Sequence, residues 1–101
     1  MTMDEPTSRL IHALAAELRD TCGQVEQLAA TLALDEDMLD RFLVHLQSFD
    51  LIAQQVGESA ELLGRVGAGS AADAAVSHVR LERMQQRLRR ELDRDPQRRA
   101  A

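Results

Sequence analysis

The apolar and small residues of the stretch 38–66 fall at Leu39, Phe42, Leu46, Phe49, Ala53, Val56, Ala60 and Leu63. The steps alternate between three and four, and only an α-helix puts such positions on one side. A second stripe keeps the same spacing but is mostly polar or bare: Leu43, Gln47, Asp50, Gln54, Gly57, Glu61 and Gly64. On it Asp50 and Gln54 stand one turn apart and are therefore neighbours. Upstream, Ile11, Leu14, Leu18, Thr21, Val25, Leu28 and Leu32 repeat the seam and predict a first helix over about 7–32. Asp4, Glu5 and Pro6 suit its entry, with an acidic cap and a proline in the first turn. Gly23 interrupts that helix at a cost of about 1 kcal/mol relative to alanine. Ala33, Leu34 and Asp35 form the break, and Asp35 is the expected N-cap of a second helix over about 36–66. So short a connection predicts an antiparallel hairpin. Reflecting the chain about residue 34 or 35 would bring Asp20 level with Asp50.

The next stretch, 64–73, holds three glycines and a serine and no apolar period, which marks a linker. A third helix is predicted over about 71–94. Its stripe is narrow (Val76 or Ser77, Leu81, Met84, Leu88, Leu92), and most of the rest is arginine. Asp95 and Pro96 should stop it, with a frayed tail beyond. No alternating strand pattern occurs. The expected fold is all-α, an antiparallel hairpin plus an arginine-rich third helix, arranged as a three-helix bundle or a dimeric four-helix bundle. It reads as a single domain: hairpin 1–66, Gly-rich linker 67–73, basic C-terminal helix and tail 74–101. Val44, Leu51, Ile52 and Leu62 lie off the seam and need cover from the third helix, a second copy in a homodimer, or another protein.

Composition narrows the classes. Hydrophobic residues make up 45% of the 101, enough for a folded domain, but with two Phe and no Trp or Tyr the core must come from aliphatic side chains. The single cysteine, Cys22, excludes an internal disulfide and a cysteine-rich metal site. The acidic start is not a signal peptide, and no apolar run is long enough for a membrane span, so the expected compartment is cytoplasmic. Charge is uneven: residues 1–77 carry 4 Arg against 13 acids, a balance of −9, while residues 78–101 carry 8 Arg against 4 acids, a balance of +4. A body at −9 repels phosphate backbones, and no stacking aromatics accompany the basic end, so nucleic acid is not an expected partner. The apolar face of the third helix is too thin, and too poor in aromatics, for a membrane surface.

The spacing Asp-x-x-x-Gln occurs three times, against about 0.7 expected by accident from this composition. Asp93/Gln97 spans Pro96 and drops out. Asp20/Gln24 and Asp50/Gln54 remain, and a solvated helix face would account for either. The second pair sits mid-helix beside Leu51 and Ile52, on a stripe that also holds Gly57 and Gly64. Bare positions there suit close docking of another protein. Of the histidines, His12, His45 and His78, none is followed by the lysine of a phosphotransfer motif, since the chain has no lysine, and no pair has metal-ligand spacing. Cys22 has no histidine near it in sequence and is expected to pack rather than react.

The segment LQSFDLIAQQV, residues 46–56, resembles the active helix of CheZ-type chemotaxis phosphatases, and more closely that of the short CheT-like chemotaxis proteins that share the Asp-x-x-x-Gln element. The resemblance covers helix two, about a quarter of the chain. It implies a protein that binds a phosphorylated response regulator and promotes hydrolysis of its aspartyl phosphate. Gln54 would hold the attacking water and Asp50 would meet the regulator's active-site lysine, with Gln47, Leu51 and Gly57 as bordering contacts. The chain would need no cofactor or metal of its own, because Mg²⁺ comes with the regulator. Asp20, Gln24 and Val25 offer a rival spelling in RDTCGQV. CheZ-type proteins are about twice as long and lack a basic last helix. The resemblance therefore also admits a non-catalytic adaptor that binds the regulator or a receptor methyltransferase.

Overall fold

The computed structural model describes residues 3–94. The stop expected at Asp95 and Pro96, and the tail after it, lie outside them. Four helices follow in order: α1 (Glu5–Ala33), α2 (Glu36–Gly67), α3 (Ala72–Ser77) and α4 (Glu82–Asp93), with no strand among the described residues. The first two pack along their length as the antiparallel hairpin, and the molecule is elongated at 58 × 29 × 17 Å.

Both long helices begin where the sequence indicates. The Asp4 carboxylate accepts from the Thr7 N–H at 3.3 Å, with Pro6 in the first turn. Asp35 does the same for α2, accepting from the Asp37 N–H at 3.0 Å and the Met38 N–H at 3.3 Å. These bonds satisfy donors that a helix start leaves open.

The seam of α2 faces α1 except at one position: Leu46, Ala53 and Ala60 are buried and Leu39, Phe49, Val56 and Leu63 half-buried, but Phe42, where the helix kinks, stays 39% exposed. The seam of α1 differs from expectation in every second layer. Ile11, Leu18, Val25 and Leu32 face inward, but Ala15, Cys22 and Ala29 occupy the intervening layers. Leu14 and Leu28 stay 49% and 54% exposed, and Thr21 is exposed as well. The cause is close packing. Small residues of α1 meet the small residues of α2, so the backbones approach, and leucines one step round the helix cannot fit between them. At Gly67 the fit is tight on two sides, since a Cβ there would lie 3.2 Å from Ile11 Cγ2 and 3.3 Å from the His12 ring. The Ser8 hydroxyl donates to the Gly67 carbonyl and ties that end of the hairpin.

The register also differs from a simple reflection. Cys22 meets Ala53, Arg19 meets Glu61, and Ser8 meets Gly67. Asp20 is therefore not level with Asp50. Near the start of α2, Phe42 leaves helical geometry (φ −122°, ψ 21°) and the helix kinks.

The expected third helix is two helices. Residues 78–81 break it, and the break is built from specific bonds. Glu58 of α2, only 5% exposed, accepts from the Arg80 backbone N–H at 2.6 Å and from its guanidinium at 3.1 and 3.2 Å. The Gln85 amide donates to the carbonyls of Val76, Ser77 and Val79 at 3.3, 3.1 and 3.2 Å. Arg65 Nε donates to the Ala75 carbonyl at 3.0 Å and fastens α3 to α2. Helical spacing alone did not reveal this elbow, because the residues that hold it lie on another helix or a turn away. Of the four off-seam residues, Leu62 is half-buried, while Val44, Leu51 and Ile52 are 72%, 50% and 46% exposed.

The tight seam makes a specific demand on size. Ala60→Leu at a fully buried position should cost about 1–3 kcal/mol by overpacking, whereas Val44→Ala on the exposed side should stay within about 0.5 kcal/mol. Urea unfolding of the two variants beside the parent measures both.

Candidate functional site

Asp50 and Gln54 lie on the straight part of α2, two turns beyond the kink, with unbroken helix between them. Both are exposed, as is Gln47. Neither Asp50 nor Gln54 has a hydrogen-bond or ion-pair partner among the described residues. The register explains what surrounds them. Beside the pair runs a groove of about 480 Å³, floored by Ala29, Ala30 and Ala33 of α1 and Leu46 and Ala53 of α2. Gln47, Asp50 and Gln54 stand along its edge, and Glu26 of α1 faces them. Its apolar lining is the alanines of α1 together with Leu39, Leu43, Leu46 and Ala53 of α2.

Gln54 also lines a second, larger cleft of about 1040 Å³, whose walls are α1, α2 and the elbow between α3 and α4. Gly57 belongs to this cleft. A Cβ there would sit 3.6 Å from Cys22 Sγ, an ordinary contact, so the glycine lies over α1 and keeps the cleft floor low. Gly64 is tighter, with a Cβ reaching 3.1 Å from the Arg19 guanidinium. The bare positions on the polar stripe thus serve the hairpin's own packing. Leu51 is half exposed on the outer side of α2, next to Asp50. Asp20 and Gln24 are exposed on α1 but line neither groove. Asp50 and Gln54 thus line the groove, and Gln54 the cleft as well.

The cleft contains groups that pattern reading passed over. Arg19 pairs with Glu61 at 3.2 Å and Arg80 with Glu58 at 3.1 Å. Leu81 and His78 complete the elbow wall. Among the histidines, His45 is exposed and its ring lies 6.0 Å from that of Phe42, tilted by 42°. None of the described helices is long and apolar enough to cross a membrane.

Cys22 sits between the two helices, with Sγ 3.2 Å from both the Ala53 carbonyl and Glu26 Oε1. Burial is the main force pushing its thiol above the usual range. Glu26 adds to it by accepting the S–H and repelling a thiolate, against a lowering contribution from the Gly57 backbone. The protonated thiol is therefore favoured at neutral pH, and the thiolate is the reactive form. Alkylation of the folded protein by iodoacetamide at pH 7.5 should run slower than that of free cysteine. Glu26→Gln should speed it, and rates followed by mass spectrometry test both.

Compared with known proteins, the chain matches no family model, no curated protein and no solved structure.

Proposed function

We propose that this protein binds a phosphorylated response regulator through the α2 face carrying Asp50 and Gln54 and promotes hydrolysis of its aspartyl phosphate. One observation carries the reading: an acid and an amide, one turn apart on rigid helix, are both exposed and unpartnered at the edge of an apolar-floored groove. A polar pair meant only to solvate a helix needs no such setting.

The chemistry suits the geometry. An acyl phosphate on a regulator already has its metal and leaving group, and the missing part is a water held in line with phosphorus. Gln54 can donate to and accept from such a water, and a stiff helix holds the amide without paying ordering entropy at each turnover. Asp50 would pair with a cation of the regulator and set the docking register. Gln47, Leu51 and Gly57 border the contact. No proton needs to be removed by a tuned base, so an exposed carboxylate and a neutral amide suffice. The Mg²⁺ would arrive with the regulator.

The exposed Leu43 and Leu51, 49% and 50% accessible, flank the pair and favour docking of a protein over a small molecule. The same flanks would serve a non-catalytic adaptor for the regulator or for a receptor methyltransferase.

Receiver domains from the same organism, phosphorylated with acetyl phosphate, provide the test. Phosphate release should accelerate on adding the protein. Gln54→Ala should reduce that acceleration about 100-fold with binding retained, while Asp50→Ala should weaken binding itself. Binding without acceleration in the unaltered protein would replace the phosphatase reading with the adaptor.

A further inference from the structure

Glu58 is the buried charged residue of the described chain, and it lies one turn after Gln54 on α2. Burying a carboxylate is costly unless it is well bonded. Glu58 is well bonded, but its partner is not buried. The Arg80 side chain is 83% exposed while that of Glu58 is 7% exposed. An ion pair with so wet a cation contributes little to stability. What it does is aim the guanidinium. Bonds from Nε and Nη2 to one carboxylate oxygen, with the backbone N–H on the other, hold Arg80 at the wall of the cleft that Gln54 shares. Of the other arginines lining the cleft, Arg19 pairs with Glu61, and Arg65 donates from Nε to the Ala75 carbonyl while its Nη2 is buried without a partner.

Gln54 lines both hollows, with the carboxylate of Asp50 in the groove on one side and the guanidinium of Arg80 in the cleft on the other; of the acids that also line the cleft, Glu61 is paired with Arg19 and Glu58 with Arg80 itself, while Glu26 lines both hollows. We infer that the elbow between α3 and α4 is the second half of the docking site, with Arg80 receiving acidic side chains that flank the partner's phosphoryl group. This inference rests on the function proposed above and extends it to a residue outside the hairpin. The same carboxylate that accepts the Arg80 backbone N–H thereby also fixes its guanidinium. The arrangement gives the partner two points of charge contact, opposite in sign and on either side of the amide. A partner turned end for end would meet repulsion at both.

The test measures KM and kcat for phosphate release from the phosphorylated receiver domain over a range of salt concentrations. Arg80→Gln, whose amide can still donate to Glu58, should raise KM about fivefold, with kcat within about twofold and a shallower salt dependence. Arg80→Lys should recover part of the loss, since it keeps the charge without the fork. Thermal unfolding separates docking from scaffolding. If Arg80→Gln is poorly folded, the double variant Glu58→Gln/Arg80→Gln removes both charges and still leaves an acceptor for the backbone N–H of residue 80. A folded variant whose KM and salt dependence match the parent, while Gln54→Ala abolishes acceleration, overturns this inference and leaves the proposed function standing. Absence of acceleration in the unaltered protein overturns both.

Discussion

Close approach of α1 and α2 governs the rest of the structure. It depends on small residues meeting across the seam: Ala15, Cys22 and Ala29 on one helix, Ala53, Gly57, Ala60 and Gly67 on the other. Among the described residues no large side chain is fully buried, so the hairpin has no deep core to hold it together. Contact between the two backbones and their flanking half-buried side chains takes that place. Such a seam gains little from transfer of large apolar groups and much from dense packing. It is therefore sensitive to size at its small positions and tolerant at its rim, where Leu14, Leu28 and Val44 already stand in water.

The same seam sets the chemistry of the exposed face. With small residues in register, the groove between the helices is shallow and smooth, and the polar side chains of α2 stand above it instead of being covered by neighbours. Larger residues on α1 at the level of Ala29 and Ala30 would fill the trough beside Asp50 and Gln54. The kink at Phe42 lies two turns before the pair, and the helix is unbroken through Asp50 and Gln54. A group that must hold a water in line gains from such stiffness, because the orientation is set before the partner arrives.

Much of this fold is legible in the sequence, and the misses share a physical cause. Caps are local, so Asp4 and Asp35 mark both helix starts correctly. The α2 seam is legible because its large and small residues agree in phase. The α1 seam is not, because hydrophobicity favours Leu14 and Leu28 while packing selects Ala15 and Ala29 next to them. A period count ranks residues by greasiness, but a close-packed interface ranks them by size. Register is likewise illegible, because a reflection about the connection does not say which layers of the two helices meet. The elbow at 78–81 was invisible because Glu58, which anchors it, lies 22 residues away and on another helix. Of the candidate site, the pair Asp50 and Gln54 could be read from spacing and from the flanking Leu51 and Ile52, but the groove beside it could not, because a groove is a property of two helices at once.

Glu58 shows how the two levels of organisation meet. In sequence it is an ordinary acid on a long polar stretch of helix, interchangeable with Glu61 three residues on. In the structure Glu61 is half exposed and pairs with Arg19, whereas Glu58 is buried and fixes the chain direction of another segment. A carboxylate suits that position because it accepts from a backbone N–H and a guanidinium together, which no apolar side chain and no single hydroxyl can do. The elbow then brings the wall of the larger cleft to within a turn of Gln54. Two segments of opposite net charge, the acidic hairpin and the basic C-terminal arm, are thereby joined at the one place where a buried charge needs its counterpart.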